Sequence, residues 1–281
     1  MARCRIQRNK SRGLSLMAVG KIRTKFDRAV RQWIRELLWS AGYVVFNTGS
    51  RAHYAQDSLF TTNNDHFRYE PEFNKAYSRG ISANGGHDPH IEWRVHVALW
   101  AARNALRLPG SFVECGVNAG FVSSAIMHRL NWHKVEKHFY LVDTFNGPVI
   151  TQYSEEEIIR GRLGVIDDAI AKGAYVTDLE RVRANYAEWP NAEVVQGIVP
   201  DVLPSLGVQQ VAFLHIDMNC AFPERAALEY FWELLSPGAM VLLDDYAYFG
   251  HDSQGHAIDH AVAALGTEVL SLPTGQGLII K

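Results

Sequence analysis

Two apolar runs in this chain stop abruptly at acids, VAFLHID over 211–217 and GAMVLLDDY over 238–246. Five or six apolar residues that end on an acid read as a buried strand with its chemistry at the carboxyl edge. A helical pattern over 223–235 lies between the two runs. The two strand ends therefore share one edge of a sheet, and Asp217, Asp244 and Asp245 converge on one crevice.

The same alternation extends upstream. FVECGV (112–117) leads into a helical stretch over 120–130, then HFYLVD (138–143) and, beyond a long polar stretch over 147–191, AEVVQG (192–197). A helix over 255–265 follows the last acid run. The end, VLSLPTGQGLIIK, has two short apolar runs around a Pro-Thr-Gly-Gln-Gly turn, a hairpin signal. Strand–helix alternation implies right-handed crossovers and a parallel sheet, to which the hairpin adds an antiparallel strand. The expected fold class is α/β, with a Rossmann-like doubly wound sheet and an N-terminal helical extension and cap.

The cap covers 47–87, a polar segment of turns and short helices whose aromatics, Tyr54, Phe60, Phe67, Tyr69, Phe73 and Tyr77, need burial. Asp88 followed by Pro89 predicts a helix start, with the helix running to Leu106. These readings divide the chain into a basic tail (1–20), a helical extension and cap (21–87) and the sheet domain (88–281). Met17 offers a second start point within the tail. From Ile22 to Leu38 a helical stripe includes Phe26, Val30, Trp33, Ile34 and Leu37, with Lys and Arg opposite. Packing on the domain, a homodimer contact and a membrane-surface contact all fit such a stripe.

Charge is divided unevenly. Residues 1–35 hold eleven Lys and Arg against one acid, whereas the rest of the chain carries seventeen bases and twenty-nine acids. An acidic body argues against a nucleic-acid enzyme, whose positive charge belongs where the phosphates lie. Cys4, Cys115 and Cys220 show no paired spacing, which fits reduced thiols in a cytoplasmic protein.

Glu114-Cys-Gly116-Val-Asn118-Ala-Gly120 follows a strand and opens a helix, which lets main chain approach a ligand and adds helix N-terminal amides. Its spacing is not the GxGxxG that seats a pyrophosphate. An acid two residues before the first glycine suits a ligand with an amino-bearing end. Asp143 closes the next strand and is placed to accept both hydroxyls of a ribose.

ExGxxxG with an acid closing the second strand resembles the class I S-adenosylmethionine-dependent methyltransferases. More narrowly, FVECGV, LVDTFNGP, LHIDM and LSPGAMVLLDDY resemble the macrocin O-methyltransferase family, which methylates sugar hydroxyls. The resemblance covers about 88–281 and implies a sheet of about seven strands with the last antiparallel. It implies S-adenosylmethionine as cofactor, with Glu114, Gly116, Asn118 and Gly120 toward the methionine part, Asp143 on the ribose, and Gly197 and Ile198 near the adenine. It also implies a divalent metal, Mg²⁺, on Asp217, Asp244 and Asp245, where an acceptor hydroxyl would lose its proton more easily. Strand-end caps are the other reading of these acids. The family's second acid, two residues after the first, is Asn219 here. For a general base, His251 and His256 follow in a Gly-rich loop, with His215, His87 and His90 as further candidates. The expectation is a metal-dependent O-methyltransferase acting on a small-molecule acceptor, with a metal-independent methyltransferase and an inactive nucleoside-binding module as alternatives. Tyr153, Tyr175 and Trp189 of the 147–191 stretch are the expected lid aromatics.

Overall fold

The structure is a computed structural model that describes residues 29–43 and 54–281. It resolves into two compact units, 1–52 and 53–281. The expected tail and the start of the stripe, Ile22 and Phe26, lie outside the described residues. In the first unit, residues 29–40 are helical (α1). Val30, Trp33, Ile34 and Leu37 fall on one stripe of α1 and are exposed. Among the described residues, no helix is long and apolar enough to cross a membrane.

The second unit opens with a hairpin, β1 (Tyr54–Gln56) and β2 (Leu59–Thr61), paired antiparallel. Its two-residue turn, Asp57-Ser58, has both residues at positive φ, the form whose twist matches the flanking strands. Helix α2 (Pro71–Ala83) starts with proline in its first turn, where the missing amide costs nothing. Of the six cap aromatics, Tyr54, Phe67, Phe73 and Tyr77 are buried, Phe60 is half-buried and Tyr69 is exposed. The helix expected from Asp88 begins later: α3 spans Glu92–Ala105. His90 takes a positive φ that a helix does not allow. The Asp88 carboxylate instead accepts from the Tyr77 hydroxyl at 2.6 Å and the His90 amide at 2.8 Å.

Seven strands form the main sheet: β3 (Ser111–Cys115), β4 (Phe139–Asp143), β5 (Ala192–Gln196), β6 (Val211–Ile216), β7 (Leu235–Leu243), β8 (Leu270–Ser271) and β9 (Gly277–Ile280). Their order is β5-β4-β3-β6-β7-β9-β8. The first five run parallel, β9 is antiparallel to β7, and β8 is antiparallel to β9. The crossover helices are α4 (Phe121–Arg129), α7 (Leu179–Tyr186), α8 (Ala221–Trp232) and α9 (Asp252–Leu265). Two further helices, α5 (Glu155–Ile159) and α6 (Arg162–Ala171), fold the expected polar stretch.

One core face is built on aromatics, with the Phe112 ring 5.0 Å from Trp132, 5.6 Å from Phe139 and 5.2 Å from Phe213. Truncating one such ring costs about 3–5 kcal/mol. Trp189 belongs to this core: it is buried against Tyr186 and under the Arg79 guanidinium, and it is not a lid residue. Because chain order reverses between β3 and β6, the crevice at their carboxyl ends is where the fold leaves room for a ligand.

Candidate active site

The glycine turn follows β3 directly. Gly116 has φ +91°, and a Cβ there would lie 1.7 Å from the Asp217 carbonyl oxygen, so the turn packs main chain on main chain against the loop after β6. Gly120 serves another purpose. It precedes α4 at φ +82°, and a Cβ there would lie 2.0 Å from the Tyr186 hydroxyl, which pairs with Ser123 at 2.7 Å.

Gly116, Asn118, Asp143 and Gly197 line a single cleft with Asp217 and Asn219. Tyr153 and Tyr175 line it as well, as expected of lid aromatics, and apolar walls come from Val142, Val149 and Val199. Ile198 lies on the outer extension of this cleft, beside Gly147 and Gly197. Glu114 does not line it. Its buried carboxylate turns beneath the turn to His215, 2.8 Å away.

Asp143 braces the turn. One carboxylate oxygen accepts the Val117 and Asn118 amides at 2.7 and 2.8 Å, and the other accepts the Phe145 amide at 2.8 Å. The Asn118 side chain donates to the Ala174 carbonyl and accepts from the Val176 amide, both at 2.8 Å, tying the Tyr175 segment over the cleft. Bare main chain at Gly116 and Gly197, an acid in Asp143 and apolar walls suit a nucleoside with a short polar tail.

At the other end of the cleft stands Asp217. Burial, and after it the charges of Asp244 and Asp245, push its carboxyl well above the usual carboxylate range. Asn219 takes φ +57° and donates to Asp217 at 3.3 Å. The Met218 amide between them donates to Glu224 at 3.1 Å, so the first turn of α8 fixes the loop. Burial, then the charge of Asp245, raises the Glu224 carboxyl to about 8.

Asp244 and Asp245 meet a protein cation. Arg94, on α3 and 7% exposed, places Nη1 2.5 Å from Asp244 Oδ2 and 3.3 Å from Asp245 Oδ1. Its Nε lies 2.7 Å from Asp57 in the β1–β2 turn, and the Tyr248 ring lies 4.2 Å from the guanidinium carbon. Asp244 Oδ1 accepts from Gln276 at 2.8 Å. His215 stands between Glu114 and Asp244, and although burial lowers its pKa, the Asp244 carboxylate 3.6 Å away and the hydrogen-bonded Glu114 raise it to about 10. Against the cost of burial, Arg94 and His215 hold Asp244 below the usual carboxylate range.

The loop histidines do not reach the cleft. His251 is buried with Nδ1 3.1 Å from Asp245 and Nε2 accepting from Arg162 at 3.0 Å, so both ring nitrogens are engaged. His256, His87 and His90 are exposed. Asp217 is thus the titratable side chain that the fold brings from the sequence-derived catalytic pair to the cleft wall.

The three acids read as magnesium ligands do come to one edge, but the oxygens of two of them, Asp244 and Asp245, are spent. Both oxygens of Asp244 accept from protein donors, and those of Asp245 face Arg94 and His251. Among the described residues, no group of three or more His, Cys, Asp or Glu side chains is arranged to hold a metal ion. As folded, this donor set does not fit a divalent cation. Arg94, Asp57, Gln276 and Arg162 went unseen in the sequence. One signal was available for Arg94, a charge sharing the buried stripe of α3 with Ala98, Ala101 and Ala105.

The sheet order, the glycine turn and the cleft define a class I methyltransferase fold. A family model described as "Methyltransferase domain" matches residues 113–246. A 4'-O-methyltransferase of 8-demethyl-8-(2,3-dimethoxy-alpha-L-rhamnosyl)-tetracenomycin-C, from Streptomyces olivaceus, is 29% identical over 146 residues, 50% of this chain and 54% of that protein. The chain thus spans about half the length of that curated relative. Among solved structures, the O-methyltransferase NovP superposes with a TM-score of 0.57 at 17% identity, covering 72% of this chain and 88% of that one. The calicheamicin methyltransferase CalS11 does so with 0.51 at 15%, covering 78% and 97%. The chain is thus similar to methyltransferases over residues 113–246, on a fold shared with solved O-methyltransferases.

Proposed function

We propose that this chain transfers a methyl group from S-adenosylmethionine to a hydroxyl of a sugar or other polyol-bearing small molecule. The observation that carries the reading is a single cleft that runs from the braced glycine turn to Asp217. The sugar acceptor is suggested by the rhamnosyl 4'-O-methyltransferase to which the chain is similar.

The cofactor, when bound, supplies a methyl group on a sulfonium, already activated for displacement. The protein's part is alignment and proton removal. Gly116, Asn118 and Asp143 seat the nucleoside and its amino-acid tail, while Tyr153 and Tyr175 exclude water. Asp217 receives the acceptor's proton as the acceptor oxygen forms its new bond to carbon. A carboxylate whose pKa is raised is the stronger base, so its environment suits that role. Asn219 holds the Asp217 side chain in place. Magnesium, expected from the resemblance, takes no step here because Arg94 already occupies two of the three acids meant for it, Asp244 and Asp245.

A thermal-shift titration with S-adenosylhomocysteine, followed by a screen of glycosylated acceptors with radiolabelled cofactor, tests the reading. Ligand at about a hundred times its dissociation constant stabilises by ~2.7 kcal/mol, a readily measured shift. No shift with S-adenosylhomocysteine at any concentration would sink the proposal.

A further inference from the structure

We propose that Arg94 is the resident cation of the acidic end, neutralising Asp244 and Asp245 in place of a divalent metal, so that this methyltransferase works without one. The inference rests on the methyltransferase reading above and adds the identity of the charge at its acceptor end.

Three observations carry it. First, the guanidinium is built into the fold: it projects from α3, is 7% exposed, and forks between Asp57 on one side and Asp244 and Asp245 on the other. Tyr248 covers it and fixes Asp57 through a 3.1 Å hydrogen bond, so both the cation and its second anion are held from outside the acid pair. A guanidinium suits this place because its planar fork can engage two carboxylates at once and never deprotonates.

Second, a divalent ion would need oxygens that are already committed. Asp244 gives one oxygen to Arg94 and the other to Gln276, itself fixed by Thr274 at 2.9 Å. An ion bound there would also face the guanidinium across the same carboxylates and be repelled by it. Third, the loop after β6 carries Asn219 beside Asp217, so the position that could add a further negative charge is a neutral amide bonded to Asp217 instead. A neutral donor lowers the attraction for a hard cation.

The test reads metal binding directly. Protein stripped with EDTA is titrated with Mn²⁺, and the bound fraction is followed by electron paramagnetic resonance with and without S-adenosylhomocysteine. Wild type and Arg94→Lys, which keeps a positive charge, are expected to take up no stoichiometric Mn²⁺, and the thermal shift given by S-adenosylhomocysteine is expected to be the same with and without EDTA. Arg94→Met, which leaves the acids without their cation, is expected to bind Mn²⁺ at least about tenfold tighter than wild type. One equivalent of Mn²⁺ on wild type, lost in Asp244→Asn, would overturn the proposal. A folded Arg94→Met that gains no Mn²⁺ affinity would overturn it as well. Should Arg94→Met not fold, the wild-type and Arg94→Lys titrations still decide. Absence of any S-adenosylhomocysteine shift counts against the methyltransferase reading alone, because the Mn²⁺ titration does not depend on it.

Discussion

The two ends of the cleft are assembled over very different lengths of chain. At the cofactor end, the turn amides and the acid that braces them are 26 residues apart, joined by one strand–helix–strand unit. At the acid end, Arg94 and Asp244 are 150 residues apart, and further contacts come from a hairpin turn upstream and a strand hairpin downstream. Chemistry assembled within one βαβ unit leaves a spacing that can be read. Chemistry assembled across the whole fold leaves isolated residues whose partners only the packing supplies.

Four substitutions sharpen or break that contrast. The largest effect is expected from Asp217→Asn, which removes the proton acceptor. Methyl transfer should fall by about 10²–10⁴-fold in single-turnover assays while S-adenosylhomocysteine binding persists. An active Asp217→Asn enzyme would remove Asp217 from the chemistry and leave the acid end a purely structural feature.

Next comes Arg94→Met, which strands Asp57 and Asp244 in the interior without their cation. Breaking a buried pair in this way costs about 3–5 kcal/mol, measurable by urea denaturation. A loss below about 1 kcal/mol, typical of an exposed pair, would mean that the acids are solvated and that this end is not a closed network.

The third contrast is one of pH. His215 has its pKa raised on folding, to about 10 from an unfolded value near 6.5. The folded state therefore binds the extra proton more tightly, and the stabilisation is complete below about pH 6.5 and lost as pH climbs through 10. Denaturant midpoints of wild type should decline over that window, and His215→Gln should flatten this part of the profile. Parallel profiles for the two proteins would show that the imidazole stays neutral between Glu114 and Asp244.

The smallest effect is expected at the cofactor end. Asn118→Ala removes two hydrogen bonds to the Tyr175 segment, worth about 1 kcal/mol each. A rise of several-fold in the S-adenosylhomocysteine dissociation constant, with a fall of only a few degrees in melting temperature, is the expected outcome. An unchanged affinity would show that the Tyr175 segment closes without this tie.

Much of the fold was legible because its elements announce themselves locally. The parallel strands carry short apolar runs, and the terminal hairpin carries its own turn residues, so strand positions and directions followed from pattern, whereas their order across the sheet did not. Asp88 misled for a physical reason: its side chain caps a turn held by Tyr77 instead of a helix, and Tyr77 arrives from α2. Trp189 looked like a lid residue because it lies in the 147–191 stretch, yet its neighbours Arg79 and Tyr186 draw it into the core. His251 had the chemistry of a base, but Arg162, 89 residues away, and Asp245 engage its two nitrogens. In each case, the deciding partner lay on another element.

The Asp57 turn carries a consequence for how such proteins can be recombined. The hairpin that supplies Asp57 lies upstream of the sheet, on the far side of the boundary near residue 88 that the sequence suggests, whereas Arg94 lies just downstream of it. A chimera joined near 88 would inherit Arg94 from one parent and its outer counter-charge from the other. Exchange of these N-terminal segments between relatives is therefore a swap of half an ion pair, and acceptor-end charge would change without any alteration to the sheet.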